Sequence, residues 1–234
     1  LGVMYSNRSH PITRKARRLV QDGVIGRVTS CEARQVTSQI KFRNPDLWLF
    51  KKDRAGGGIL SWLGCHHIDL LCYVMGDEVA SVSAIVDTLS GEAIDVEDVA
   101  SVSFRFQSGA IGGLQAGYQL AMSTAGYQGG KYDSYVGFRG TEGRLYWSPI
   151  DRPPRLHVES AHPEWASSPE RVFDFALPRV EAYGGAHGLS FVETFISSAL
   201  GEGEPVATGE DALRVARIVD AIYESNDTGR RIEL

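Results

Sequence analysis

Between residues 81 and 120 the chain alternates apolar and polar side chains with a period of two, in three successive runs. Val82, Ala84 and Val86 alternate with Ser81, Ser83 and Ile85. Ala100, Val102, Phe104 and Phe106 alternate with Ser101, Ser103 and Arg105, and after a turn at Ser108-Gly109 so do Leu114, Ala116, Tyr118 and Leu120. Successive side chains of a strand point to opposite faces, so this pattern buries one face of a sheet and leaves the other open. Consecutive strands joined by short turns pair antiparallel. Strand character without a clean period runs from Arg27 to about Gln39 and returns at Ser134–Phe138 and Arg144–Trp147. Shorter strands are predicted at Leu156–Glu159 and Val172–Phe175, inside the proline-rich excursion Ile150–Pro178.

Helices flank this sheet. Pro11 opens one whose apolar face is Ile12, Ala16, Leu19 and Val20, and Gly23 ends it; its other face, with Arg14, Lys15, Arg17 and Arg18, is basic. A second runs from Gly184-Gly185-Ala186-His187-Gly188 to about Leu200. Thr208-Gly209-Glu210-Asp211 has the form of a capping box for the last, with Leu213, Ala216, Ile218, Val219 and Ile222 as its apolar face. The fold class is therefore α+β: an open, mostly antiparallel sheet with helices packed on one face. An uncovered sheet face predicts a homo-oligomer, a dimer or tetramer.

The remaining composition excludes several roles. At 234 residues the chain holds one large domain or two small ones. A net charge of −5 without a basic block argues against a nucleic-acid partner, and no apolar run suggests a membrane span. Cys31, Cys65 and Cys72 form neither an even framework nor a metal-type spacing, which predicts free thiols and a cytoplasmic setting. Residues 1–6 are apolar and open in mid-strand character, as the last strand of a preceding sheet would. Phe42–Ala55 reads as a polar loop containing Trp48, either a packing plug or part of a pocket wall, and Ala121–Lys131 as an irregular loop containing Tyr127.

The chemistry concentrates in Gly56–Asp69, Gly-Gly-Gly-Ile-Leu-Ser-Trp-Leu-Gly-Cys-His-His-Ile-Asp. Three glycines allow the backbone close to something flat or charged. A helix is predicted from about Leu60 to Met75. At ~100° per residue, Leu60, Leu63, His67, Leu70, Leu71 and Val74 form a core face, while Trp62, His66, Asp69 and Tyr73 form a second stripe. His67 belongs to the core; His66 stands with a carboxylate and two aromatics. The two imidazoles point about 100° apart, so no metal site is predicted.

The stretch Gly-Gly-Gly-x-Leu-x-x-x-Gly-x-His-x-x-Asp resembles the signature of the Gfo/Idh/MocA oxidoreductases, NAD(P)-dependent dehydrogenases of sugars, inositols and related polyols. Tyr5-Ser-Asn-Arg-Ser-His-Pro11, Val24-Ile-Gly-Arg-Val28, Gly140-Thr-Glu-Gly143 and Ser225-Asn-Asp-Thr-Gly229 are similar to further family segments. No Gly-x-Gly-x-x-Gly follows a strand, so the resemblance is to the second half of the family's layout, without the Rossmann domain. It implies a substrate-binding and oligomerisation domain over 11–234, with 1–10 as the last strand and junction of the Rossmann domain. The implied fold is like the C-terminal domains of dihydrodipicolinate reductase and glyceraldehyde-phosphate dehydrogenase. By the same resemblance His66 is the general acid/base, Asp69 lies near the substrate, and Asn7 and Arg8 edge the NAD or NADP pocket. Trp62 stands where many relatives carry aspartate, which leaves His66 without that proton partner and suggests an aromatic wall for the substrate. Trp48, Tyr127 and His187 complete the expected substrate-binding set. An NAD-dependent glycosidase of the same fold, or a non-catalytic ligand-binding or assembly module, are the alternatives.

Overall fold

The structure, a computed structural model, describes residues 1–122 and 132–234. Among these residues nine strands form one sheet: β1 Val28–Ser38, β2 Val79–Asp87, β3 Val99–Phe106, β4 Ile111–Leu120, β5 Asp133–Gly140, β6 Gly143–Trp147, β7 Arg155–Ser160, β8 Glu170–Asp174 and β9 Ile232–Glu233. Their order is β8-β7-β6-β5-β1-β4-β3-β2-β9. Every neighbouring pair is antiparallel except β1 and β4, which run parallel at the centre. A parallel pair needs a long crossover, and the chain between Ser38 and Ile111 supplies it.

The helices are α1 Pro11–Gln21, the short α2 Lys52–Ala55, α3 Cys65–Met75, α4 Gly185–Ala199 and α5 Gly209–Thr228. Of these, α3 packs between α1, α5 and β1, and α5 also covers β2. The core between sheet and helices joins Phe104, Phe106, Phe138, Trp147 and Leu156 to Ile68, Leu71, Val74, Ile218 and Ile222, all at most 3 % exposed. At ~1.5–3 kcal/mol for each such side chain, burial outweighs the helix propensity that β-branched residues lack. Residues 52–75 are long and apolar enough to cross a membrane by length and composition alone. Here they are mostly buried inside the domain, as a core helix is.

The alternation read from the sequence is the burial seen: Ala100, Val102, Phe104 and Phe106 are buried, and Ser101, Ser103 and Arg105 exposed. The opposite face carries no helix among the described residues. It presents the cross-strand pairs Arg34–Asp133 (2.8 Å), Arg139–Glu32 (2.7 Å) and Arg144–Glu159 (2.6 Å), and a ladder in which Tyr146 stacks on Tyr135 and His157.

Two expectations need correction. Phe42–Ala55 is not simply a polar loop: Phe50 is fully buried and joins Ile40, Ile59, Val96, Ala116 and Tyr118 in a second, smaller core. Alternation and periodicity do not detect one apolar residue dropped into a polar segment. On α5, Leu213 and Ala216 face solvent and Val215 and Ala221 are buried instead. Both edges of that stripe are apolar, and packing against β2 and α3 selects one. Residues 1–5 lie outside this sheet, where Gly2 bridges Thr208 and the Val3 N–H donates to the Ala207 carbonyl.

Candidate active site

The predicted helix begins as a π turn, Leu60–Gly64, and continues as α3. A π turn advances each residue by less than the ~100° of an α-helix, so side chains before Gly64 are rotated out of the stripe projected for them. The donors that open this helix are capped from afar. The Glu97 carboxylate accepts the Gly58 N–H at 2.6 Å, the Leu60 N–H at 2.9 Å and the Tyr223 hydroxyl at 2.9 Å, and the Glu97 carbonyl accepts the Ile59 N–H at 3.2 Å. Ser61 and Tyr223 share a further bond of 3.0 Å.

This network explains the glycine triplet. A Cβ on Gly58 would lie 2.0 Å from the Glu97 carbonyl oxygen, and one on Gly57 would lie 1.9 Å from the Tyr223 hydroxyl. Gly56, at φ +76°, ends α2 in the left-handed region that side chains avoid. The close approach that the glycines permit is therefore to an internal carboxylate and phenol.

His66 sits near the start of α3, half-buried. Its ring meets the edge of Tyr5 at 5.5 Å and 87°, and its nitrogens make no hydrogen bond among the described residues. Burial lowers its pKa by disfavouring the charged imidazolium. His67 is the buried core residue expected: its Nδ1 lies 3.2 Å from the Leu63 carbonyl, and burial pushes its pKa down to about 4.

One turn beyond His66, Asp69 is 1 % exposed and bound on both oxygens by Arg8, at 3.0 Å from Nε and 2.5 Å from Nη2. Arg8 Nη1 reaches Asp211 at 2.9 Å and the Val206 carbonyl at 3.3 Å. Asp211 is also the carboxylate of the α5 capping box with Thr208. Burial pushes the Asp69 carboxyl up, against the pull of Arg8. Arg8 and Asp69 thus engage each other in the interior, and Arg8 ties the start of α3 to the start of α5. The sequence places them 61 positions apart, beyond the reach of any local pattern.

The other expected residues stand on several elements. Asn7 is half-buried in the Ser6–Ser9 turn, against which α4 packs. His187, at the start of α4, lies 5.0 Å from the His10 ring, whose Nδ1 accepts the Ile12 N–H and so caps α1. Trp48 is 58 % exposed in its own short turn. Trp62 stacks on Tyr118 in the smaller core. Tyr127 lies outside the described residues. Sequence reasoning missed Tyr5 as the neighbour of His66, although it stands in the junction segment already singled out. It also missed Glu97, an acid in a connection between strands with no local signal for its role.

A dinucleotide's phosphates would find no cradle at the glycine triplet, where a carboxylate already holds the donors. Tyr5, Asn7 and His66 fit no more than the nicotinamide end of such a group.

Known proteins resemble this chain in sequence and in fold. Residues 13–146 match the family model described as the GFO/IDH/MocA C-terminal domain. The chain is 27% identical to levoglucosan dehydrogenase of Pseudarthrobacter phenanthrenivorans over 95% of its own length and 64% of that protein. It is likewise 27% identical to myo-inositol 2-dehydrogenase of Thermotoga maritima, over 94% of its length and 60% of the relative. The crystal structure of levoglucosan dehydrogenase in complex with NADH and L-sorbose superposes with a TM-score of 0.82 at 23% identity, covering 98% of this chain and 64% of that one. The chain thus spans less than two thirds of these relatives.

Proposed function

The chain belongs to the Gfo/Idh/MocA family of oxidoreductases, and from that premise we propose that it is the substrate-side domain of an NAD(P)-dependent sugar or polyol dehydrogenase. The observation that carries this reading is His66: a half-buried imidazole, its charged form disfavoured by burial, with unengaged ring nitrogens beside the junction tyrosine. A nicotinamide bound in the whole enzyme would supply the hydride acceptor for a carbinol carbon, its ring end against Tyr5, Asn7 and His66. The chain's own part is the proton: His66 accepts it from the carbinol hydroxyl and returns it in the reverse direction. Such a group contributes about 10²–10⁴ in rate. Asn7, Trp48, Trp62, His187 and Tyr127 contact the substrate. Asp69, through Arg8, positions the helix that carries His66.

A second copy of the chain covers the open sheet face, giving a homo-oligomer; the absence of a covering element there among the described residues supports it. In the complete enzyme, His66→Ala lowers kcat by at least about 10² while cofactor binding stays unchanged. Undiminished turnover in that variant would discard the assignment.

A further inference from the structure

Trp62, four residues before His66 and already named as a substrate contact, belongs to a polar cluster whose other members have no role above. Its ring stacks on Tyr118 at 6.1 Å, and the Arg43 guanidinium lies over both, 5.1 Å from Trp62 and 5.4 Å from Tyr118. The β1–β4 register sets Thr37 beside Tyr118, and the Gln39 N–H donates to the Leu120 carbonyl at the same end of the sheet. Here four buried polar atoms have no hydrogen-bond partner: Thr37 Oγ1, Gln39 Oε1, Arg43 Nε and the Tyr118 hydroxyl. Only one other such atom, on Ser9, occurs among the described residues. Folded interiors leave few polar atoms unmatched, and such concentrations mark places where something else completes the valences. Tyr118 is 1 % exposed and Thr37 fully buried, so bulk water does not serve them.

The inventory states what is wanted. Arg43, Tyr118 and Thr37 have hydrogens to donate, whereas Gln39 Oε1 can only accept. Arg43, half-buried over the two rings, spends one donor on the Ser38 hydroxyl at 3.3 Å and makes no ion pair among the described residues. We propose that this cluster binds the carboxylate end of a sugar acid, an aldonate or uronate. The carboxylate accepts from Arg43 and Tyr118, a neighbouring hydroxyl donates to Gln39, and the carbon face rests on Trp62. A neutral sugar supplies hydroxyls but leaves the guanidinium without a counter-ion, and an enclosed water does the same. The proposal deepens the dehydrogenase reading by naming a substrate class, yet it concerns binding and is measured without turnover.

Isothermal titration of the chain at pH 7 with D-gluconate and D-glucuronate, beside D-glucose and myo-inositol, tests it. The acids are expected to bind at least tenfold more tightly than glucose. Arg43→Gln should erase that preference, Arg43→Lys should keep part of it, and Tyr118→Phe should weaken the acids several-fold. The Lys and Phe variants carry the test if the Gln variant does not fold. Acids and glucose binding alike, no binding of either acid, or a preference that survives these substitutions overturns the proposal. His66→Ala should leave the acid preference intact, so failure here and failure of the His66 assignment remain distinct results.

Discussion

Replacing Asp69 by asparagine keeps the shape of the side chain and removes one charge from the Arg8–Asp69–Asp211 cluster. The magnitude follows from the geometry. Arg8 and Asp69 are 6 % and 1 % exposed and joined by two charge-assisted bonds. Breaking a buried pair from one side costs about 3–5 kcal/mol, because the partner is left charged away from water. Asp211 still compensates Arg8 at 2.9 Å, and the asparagine oxygen retains one bond, which places the expectation at the lower end, about 3 kcal/mol. For a chain of this size that lowers Tm by roughly 6–12 °C. Urea unfolding followed by circular dichroism at pH 7 should show the loss with an unchanged m-value. It should persist in high salt, since an interior pair is little screened. The double change Arg8→Met with Asp69→Leu should recover most of the stability, as apolar replacement of both partners does elsewhere. A loss below about 1 kcal/mol, or one that fades with salt, would show that the pair behaves as a surface pair and refute the reasoning.

Glu97→Gln leaves one of the donors of Gly58, Leu60 and Tyr223 without its acceptor, for a cost of about 1–3 kcal/mol and faster amide exchange at Gly58 and Leu60; unchanged exchange would mean the carboxylate does not cap the helix. Gly58→Ala should destabilise more than Gly57→Ala in the same assay, because the first collides with backbone and the second with a side-chain tip. Tyr118→Phe removes a buried hydroxyl with no partner and should leave the unliganded chain as stable or about 1 kcal/mol more stable; a clear loss would mean the hydroxyl is satisfied. The pH dependence follows from His67, whose pKa of about 4 lies below the 6.5 of an unfolded histidine. Below pH 6.5 the unfolded chain binds a proton that the folded one refuses, so stability falls with pH by up to about 1.4 kcal/mol per unit from this residue until the folded pKa is passed. His10, His66 and His187 are shifted in the same direction. Comparing urea midpoints at pH 7 and pH 5 should show His67→Gln flattening the slope, and an unaltered slope would exclude His67 as its source.

What the sequence determined by itself is local and periodic. Alternation between residues 81 and 120 was enough to specify an open, one-faced sheet, because strand side chains repeat every two residues regardless of what lies beyond them. The Thr208–Asp211 box announced the start of α5 because both its bonds close within four residues. The likeness of the Gly56–Asp69 segment likewise pointed to the family and to His66. Only the tertiary structure decided what those residues touch. It set β1 parallel to β4, opened the predicted helix as a π turn, and filled the glycine triplet with a carboxylate from 39 positions along the chain. It also spent Arg8 on Asp69 and Asp211, and gathered Arg43 over Trp62 and Tyr118. Burial, which decides whether a charge is paired or a donor left waiting, is a property of the packed chain, and no window of neighbouring residues contains it.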